Sequence, residues 1–335
     1  MMEKDLISIV IPVRNGEKTL EGCVRSAAAQ TYGNTEILIM ENGSEDGTSA
    51  VCEKLAAEYG NVSVFHLDTN GVSAARNAGL EQVRGEYVTF LDADDRLSPR
   101  FLEFLFNCLT EEHADIAGCS LILQSSPPGE LFEKSTDSGI RKIYSGEEYI
   151  KEAFLNGNVR VCTKLFRTSL ISEQRFPEDL TIGEDLVFFL RVLDKDTRII
   201  TIDNVLYWYY YNRESAMNRP YVPAYQDQIR CWNQAEELLC DKFPSVMAEP
   251  GAEAKLKRIQ CVAALLVAVK LGKLDRNERK KYREEFEEVR ERIRELTDNG
   301  QELFDMKRGQ KLRVFLLLHF ERLFILSCRM KNTYD

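Results

Sequence analysis

Through the first ninety residues, short apolar runs alternate with amphipathic stretches at a nearly regular interval. Residues 6–13 (Leu-Ile-Ser-Ile-Val-Ile-Pro-Val) are β-branched and almost continuously apolar, the pattern of a strand buried on both faces. A helical pattern follows from Glu17 to Ala29, and residues 36–40 give a second strand that ends in the turn-forming run Asn42–Gly47. A helix to Tyr59, a strand over 62–66, a helix from Ser73 to Val83 and a strand over 87–91 complete the series. Such alternation with short connections predicts a mostly parallel sheet with helices on both faces. Parallel strands share one carboxyl edge, so the loops 12–15, 41–46 and 92–95 are expected to gather where open α/β sheets bind ligands.

Beyond that half, Ser98-Pro99 has the chemistry of a helix start and leads the stripe Phe101, Leu102, Leu105, Leu109. Residues 115–123 read as a strand, and 124–139, rich in Ser, Pro, Gly and charge, as an exposed loop. Ser145-Gly-Glu-Glu148 has capping-box spacing. Residues 187–193 are expected to be helical, 198–202 extended, and 206–211 an aromatic run. From Val222 the pattern turns helical. Asp275-Arg-Asn-Glu278 is a second capping-box candidate, Tyr282, Phe286, Val289, Ile293 and Leu296 form one stripe, and Asn299-Gly300 is a natural stop.

Composition narrows the class. With 335 residues, 44% hydrophobic and 29% charged, the chain can bury one large α/β domain and a smaller appendage. A formal net charge of −10 argues against nucleic acid as a partner. The nine cysteines have no C-x-x-C pair, and Cys23, Cys52, Cys108, Cys162, Cys240 and Cys261 lie in or beside apolar patterns, as small buried thiols of a reducing compartment do. No signal-peptide pattern or 18-residue apolar run is present, which makes the cytoplasm the expected location.

Two acidic elements carry candidate chemistry. Asp92-Ala93-Asp94-Asp95 follows the fourth strand directly, where alternate carboxylates can hold a hard cation and leave the rest of its shell to water and phosphate; an acidic turn capping the next helix is the plain alternative. Gly183-Glu184-Asp185 opens an apolar helix, either as a simple dipole cap or as the seat of a general base.

With these residues in view, the stretch from Leu6 to about Asn218 resembles glycosyltransferase family 2, inverting enzymes with the GT-A fold. The matching pieces are Ser8–Asn15, Ser26–Thr31, Glu41–Thr48, Gly71–Gly79, Gly85–Asp95, Lys164–Phe166, Gly183–Asp185 and Tyr207–Arg213, and their order and spacing cover about two-thirds of the chain. The resemblance implies a GT-A catalytic domain over 1–218, with a nucleotide-sugar half at 1–97 and an acceptor half at 98–218, and a helical region over 219–335. It implies that Pro12 and Val13 line the nucleobase pocket, Arg14 and Asn15 complete that loop, and Glu41 and Asn42 read base and ribose. Arg76 would lie near the diphosphate, with Asp92 and Ala93 against the nucleotide-sugar. Asp94, with Asp92, would hold Mn²⁺ or Mg²⁺. Asp185 would be the base, with Glu184 beside it, and Lys164 and Trp208 would contact acceptor or diphosphate. Asn42 departs from the acidic residue common at its position; its amide accepts a hydrogen bond more weakly than a carboxylate, so uridine is favoured without excluding guanosine or thymidine.

The implied reaction is one in-line displacement at the anomeric carbon of a nucleotide-sugar, with a saccharide or lipid-linked saccharide as acceptor, in the synthesis of surface polysaccharide or glycoconjugate. A non-catalytic sugar-nucleotide scaffold is the main rival. A receiver-like fold would leave Gly183–Asp185 unexplained, and a dinucleotide oxidoreductase wants a G-x-G-x-x-G that Pro12–Gly16 does not supply. Residues 307–331 read as one basic, strongly apolar helix, suited to the headgroup layer of a membrane, to the catalytic domain or to a second subunit of a homo-oligomer.

Overall fold

The computed structural model describes residues 2–68, 71–125, 139–211, 219–298 and 306–329. Among these residues nine strands form one sheet: β1 (Glu3–Val13), β2 (Thr35–Glu41), β3 (Val62–His66), β4 (Gly85–Phe90), β5 (Arg96–Leu97), β6 (Ile116–Gln124), β7 (Arg141–Tyr144), β8 (Lys164–Arg167) and β9 (Ile199–Tyr210). Their order is β3-β2-β1-β4-β8-β6-β9-β5, with β7 on the side of β9. The pairs β1·β2, β1·β4, β2·β3 and β6·β9 are parallel, while β8 runs antiparallel to both β4 and β6.

The expected mostly parallel α/β sheet is present. The inserted β8 was not foreseen, because four residues are too few to show a period. Its direction matters: antiparallel to β4, it begins at the edge where β4 ends, so Lys164 starts at the ligand-binding rim. For the same reason β6 and β9 run with β4 and finish at that rim. The separate expectations for 198–202 and 206–211 are replaced by the continuous β9.

Alternation along the strands sorts the core into two layers. Ile7, Ile9, Ile11, Tyr87 and Leu91 pack with Leu20, Cys23 and Val24 of α1 (Leu20–Ala28), Cys52 and Leu55 of α2 (Thr48–Glu58), and Phe101, Leu102 and Leu105 of α4 (Phe101–Glu111). On the opposite face lies α3 (Val72–Gln82), so close that a Cβ on Gly79 would meet Val10 Cγ1 at 2.4 Å. Phe90, on that face too, has its ring 5.1 Å from Phe176 and 6.0 Å from Phe188. The Ser145 capping box forms: Glu148 Oε2 accepts from the Ser145 N–H at 2.7 Å, and Ser145 Oγ from the Glu148 N–H at 3.3 Å. It opens α5 (Gly146–Glu152), followed in the chain by α6 (Thr168–Ile171) and α7 (Glu184–Val192).

The chain divides into two compact units, 1–150 with 158–212, and 151–157 with 213–335. The short segment 151–157 thus belongs with the helical unit, where the Phe154 ring lies 6.0 Å from Trp232 and Lys151 pairs with Glu249 at 2.5 Å. That unit is built on the long helix Ala252–Lys273, against which Arg283–Leu296 and Glu321–Arg329 pack. Phe286, Val289, Ile293 and Leu296 are buried as the stripe predicts, whereas Tyr282 sits at a break between two helices. Asp275 caps the first of these, accepting from the N–H groups of Asn277 and Glu278 at 2.7 and 2.9 Å.

Two expectations change here. The single helix expected over 307–331 is two, Arg308–His319 and Glu321–Arg329, because Phe320 leaves helical geometry (φ −140°, ψ 65°). Glu321, held by Arg283 at 2.7 and 3.2 Å, fixes where the second begins. Cys240 is exposed, since it lies one position past the buried Leu239 and so about 100° round the helix; none of the nine cysteines forms a disulfide. Residues 126–138 and Asn299-Gly300 lie outside the described residues. Among the described residues no helix is long and apolar enough to cross a membrane.

Candidate active site

The loops at the carboxyl edge of β1 and β2 meet as expected, and hydrogen bonds pin them to each other and to the start of α3. Asn15, at φ 54°, accepts from the Glu45 N–H at 2.8 Å and gives its own N–H to Ser44 Oγ at 2.9 Å. The Asn42 N–H binds the Val13 carbonyl at 2.9 Å, and Nδ2 donates to the Gly71 carbonyl at 2.8 Å. Gly71 has φ 94°, a conformation that glycine adopts without steric cost, and it leads straight into α3. Pro12, Val13, Arg14, Asn42, Gly71, Val72 and Ala75 thereby line one cavity of 130 Å³. Pro12, Val13, Arg14 and Asn42 are brought together there; Asn15 instead fastens the loop behind them.

Glu41, also buried, is already engaged. Oε1 accepts from the Ser44 N–H at 2.7 Å and Oε2 lies 3.0 Å from His66 Nδ1, whose Nε2 is 2.9 Å from Glu53. Burial pushes the Glu41 carboxyl up, but the bonds from His66 and Ser44 outweigh it and hold it below its ordinary value. The partnership with Glu53 and Glu41 in turn raises His66. Sequence reasoning left His66 unassigned because a histidine at a strand end carries no pattern.

The second half of the site is organised by Arg76, buried on α3 with its guanidinium 5.2 Å from the centre of the Phe176 ring. Nη2 binds Asp92 Oδ1 at 2.8 Å, and Nη1 binds Glu184 Oε1 at 2.9 Å and Asp185 Oδ1 at 2.8 Å. Burial opposes its charge, but Asp185, Asp92 and Glu184 together raise its pKa well above the ordinary value. Both acidic elements of the sequence are therefore tied to one cation. Gly183, at φ 87°, turns the chain so that Glu184 and Asp185 open α7, where backbone N–H groups favour negative charge. The Val161 backbone also favours the charged form of Asp185. Burial raises its carboxyl to about 7, against the pull of Arg76 and with the charges of Glu184 and Asp92. That is a suitable value for a general base near neutrality.

Asp94 differs from its neighbours. Burial, and then the charge of Asp92, raise it to about 6, and no arginine or lysine among the described residues faces it within ion-pair distance. Asp95 is buried and structural: Oδ2 accepts from Tyr207 Oη at 2.6 Å and Oδ1 from the Tyr210 N–H at 2.8 Å. The described residues contain no preassembled group of three metal-ligating side chains. A pair of carboxylates, one without a cation, fits a hard divalent ion that takes its remaining oxygens from water and phosphate. Ala93 lies between the two in the turn after β4, half-buried.

The remaining expected residues sit at the margin. Lys164 is 1% exposed, and its ammonium donates to Asn158 Oδ1 at 3.1 Å and to the Arg160 carbonyl, 4.7 Å from the Phe189 ring centre. Without a paired carboxylate among the described residues, burial lowers it to about 8. Trp208 is not brought into the carboxylate cluster: its ring lies 5.5 Å from the Arg96 guanidinium and beside Tyr210. Strand alternation explains this, since Tyr207 and Tyr209 take the face toward Asp92–Asp95. The Asp92 N–H lies 3.4 Å from Tyr207 Oη, and burial followed by the three aspartates raises Tyr209. A period-2 reading of 206–211 would have singled out those two tyrosines. Asn212 and Arg213, at the end of the expected run, lie outside the described residues.

A parallel sheet with a nucleobase-sized cavity at its carboxyl edge, and with aspartates from a strand end facing an acidic helix start, defines a GT-A glycosyltransferase. Residues 8–173 match the pattern of "Glycosyl transferase family 2". The chain is 30% identical over 236 residues to the "Uncharacterized glycosyltransferase EpsJ" of Bacillus subtilis, covering 69% of this chain and 68% of that one. It is 29% identical over 217 residues to the "Cholesterol galactosyltransferase" of Borreliella burgdorferi, with 62% and 60% covered. In fold it is similar to S. aureus TarS 1-349 in complex with UDP-GlcNAc, with a TM-score of 0.58, 20% identity and 89% and 91% covered. It is similar too to the mannosyltransferase PcManGT from Pyrobaculum calidifontis in complex with GDP-Man and Mn²⁺, with a TM-score of 0.55, 14% identity and 98% and 87% covered. The chain belongs to glycosyl transferase family 2 and is a glycosyltransferase.

Proposed function

We propose that this enzyme transfers a sugar, with inversion, from a uridine-diphosphate sugar to a hydroxyl of a saccharide or lipid-linked saccharide, in the making of surface polysaccharide or glycoconjugate. The observation that carries the reading is Arg76, which holds Asp92 and Asp185 in one network beside the 130 Å³ cavity. The base enters that cavity against the backbone of Pro12–Arg14 and the amide of Asn42. Uracil needs a single acceptor for its imide N–H, whereas guanine presents two donors best met by a carboxylate, and Glu41 is spent on Ser44 and His66.

Asp94, assisted by Asp92, would hold Mn²⁺ or Mg²⁺, which when bound offsets charge on the departing diphosphate. Asp185 removes the proton from the acceptor oxygen, which attacks the anomeric carbon as its bond to the diphosphate oxygen breaks. Glu184 keeps Arg76 in place, and Arg76 orients the Asp185 carboxylate. The charge of Asp185 in turn favours the protonated form of the buried Lys164.

Titration of the purified protein with UDP, GDP and TDP, each with and without Mn²⁺, tests the donor half. Metal-dependent binding of UDP, lost in Asp94→Ala, supports the reading. Folded protein that binds none of the three overturns it in favour of a degenerate scaffold that has lost the nucleotide site.

A further inference from the structure

The two C-terminal helices leave an apolar face uncovered. Of the 13 large hydrophobic residues exposed among the described residues, five lie within 15 positions: Leu312, Phe315, Phe320, Leu323 and Leu326, each at least half exposed. Chance scatter does not concentrate them so. Leu312, Phe315 and His319 repeat at helical spacing on Arg308–His319, and Phe320, Leu323 and Leu326 repeat on the next helix. The rings join the two rows, with Phe315 at 4.9 Å from His319 and 5.7 Å from Phe320. The inward faces are already used, by Val314 and Leu317 on one helix and Phe324 and Cys328 on the other.

The border of this face is basic. Lys307, Arg308, Arg322 and Arg329 are exposed around it. Glu321, the one acidic residue within 307–329, is paired with Arg283 at 2.7 Å, and Arg283 also pairs with Glu287 of the neighbouring helix. Residues 307–331 hold seven lysines and arginines against one glutamate in a chain of net charge −10. Positive charge has thus been gathered where the exposed apolar side chains are. A second copy of the chain would cover the leucines and phenylalanines, but a two-fold contact sets each basic border against its own duplicate. A layer of anionic headgroups over acyl chains satisfies both features at once.

We propose that these two helices dock the protein on the surface of an anionic bilayer, with Phe315, Phe320, Leu323 and Leu326 at the acyl boundary and Arg308 and Arg322 among the headgroups. The contact is interfacial, with neither helix crossing, and it is independent of the donor-site reading.

The test is co-sedimentation of the full chain with vesicles of phosphatidylcholine alone and of phosphatidylcholine with phosphatidylglycerol. The expected result is binding to the anionic vesicles, weakened by salt. Phe315→Ser with Leu323→Ser, and separately Arg308→Gln with Arg322→Gln, should each weaken it by roughly tenfold or more. All four side chains are exposed, so both variants should keep the parent melting temperature and UDP affinity. A folded chain that stays in the supernatant with both vesicles overturns the proposal, as does pelleting that neither variant changes. A concentration-dependent dimer dissociated by the Phe315→Ser, Leu323→Ser variant overturns it too, and assigns the face to a second copy.

Discussion

Arg76 Nη1 lies 2.8 Å from Asp185 Oδ1, across 109 positions of sequence, and the same guanidinium holds Asp92. Asp92 and the candidate base thus share one buried cation. Lysine carries the same charge but lacks the planar fork that binds separate carboxylates in fixed directions. Arg76→Lys is expected to fold and to bind UDP within a few-fold of the parent, yet to lose kcat by about tenfold or more. Arg76→Ala strands three acidic groups and should lower stability by roughly 3 kcal/mol, read by chemical denaturation. Parent-like kcat in the lysine variant would sink the positioning role.

Asp185→Asn keeps the shape of the carboxylate and removes its basicity. Transfer should slow by about 10²–10⁴-fold, with nucleotide affinity unchanged. The base acts deprotonated and burial raises it to about 7, so kcat/KM of the parent should climb as pH rises through that value and then level. The variant's residual activity should lack the climb. A common pH profile for both would exclude Asp185 as the titrating base.

Asp94 yields a stability prediction with a definite sign. Its folded carboxyl, raised to about 6 from 3.8, binds protons that the unfolded chain has released, so stability falls as pH rises through that window and the full penalty stands above it. Asp94→Asn should therefore be more stable than the parent at pH 8 without metal, by about 1–2 kcal/mol. Mn²⁺ should raise the melting temperature of the parent and leave the variant unmoved. A variant less stable than the metal-free parent at pH 8 contradicts the uncompensated charge.

At Asn42 the family resemblance invites an acidic replacement, and the structure argues against it. Asn42 Nδ2 donates to the Gly71 carbonyl, so an aspartate would bring two acceptors together at 2.8 Å. Asn42→Asp should cost roughly 1–3 kcal/mol and weaken UDP binding, measured by calorimetry. Tighter binding would show that the loop rearranges freely.

Helix α3 also packs tightly at Gly79. Gly79→Val drives its side chain into Val10 and should destabilise by about 2–3 kcal/mol. UDP affinity measured well below the melting transition should be preserved. Loss of binding in a folded variant would mean that this contact sets the donor cavity.

How much was legible follows the range of the interactions. The strands β1 to β4, the helices between them and the gathering of 12–15, 41–46 and 92–95 were open to reading, because periodicity and the rule of parallel edges act locally. The same local rules gave the Ser145 and Asp275 caps, and motif order singled out Asp92, Asp94, Glu184 and Asp185 as candidates. Pairing was not legible. The antiparallel β8 that carries Lys164 to the rim, and the face of β9 that sends Tyr207 and Tyr209 inward while Trp208 goes elsewhere, depend on neighbours far along the chain. So does the union of both acidic elements on Arg76, the capture of Glu41 by His66, and the division of residues 308–329 into buried and bare apolar faces. The sequence by itself determined which residues were available for chemistry, since composition and spacing are properties of the chain. Only the tertiary structure decided which of them share a charge, because the strength of an ion pair or a shifted carboxyl is set by distance and burial, and both arise when separate segments pack.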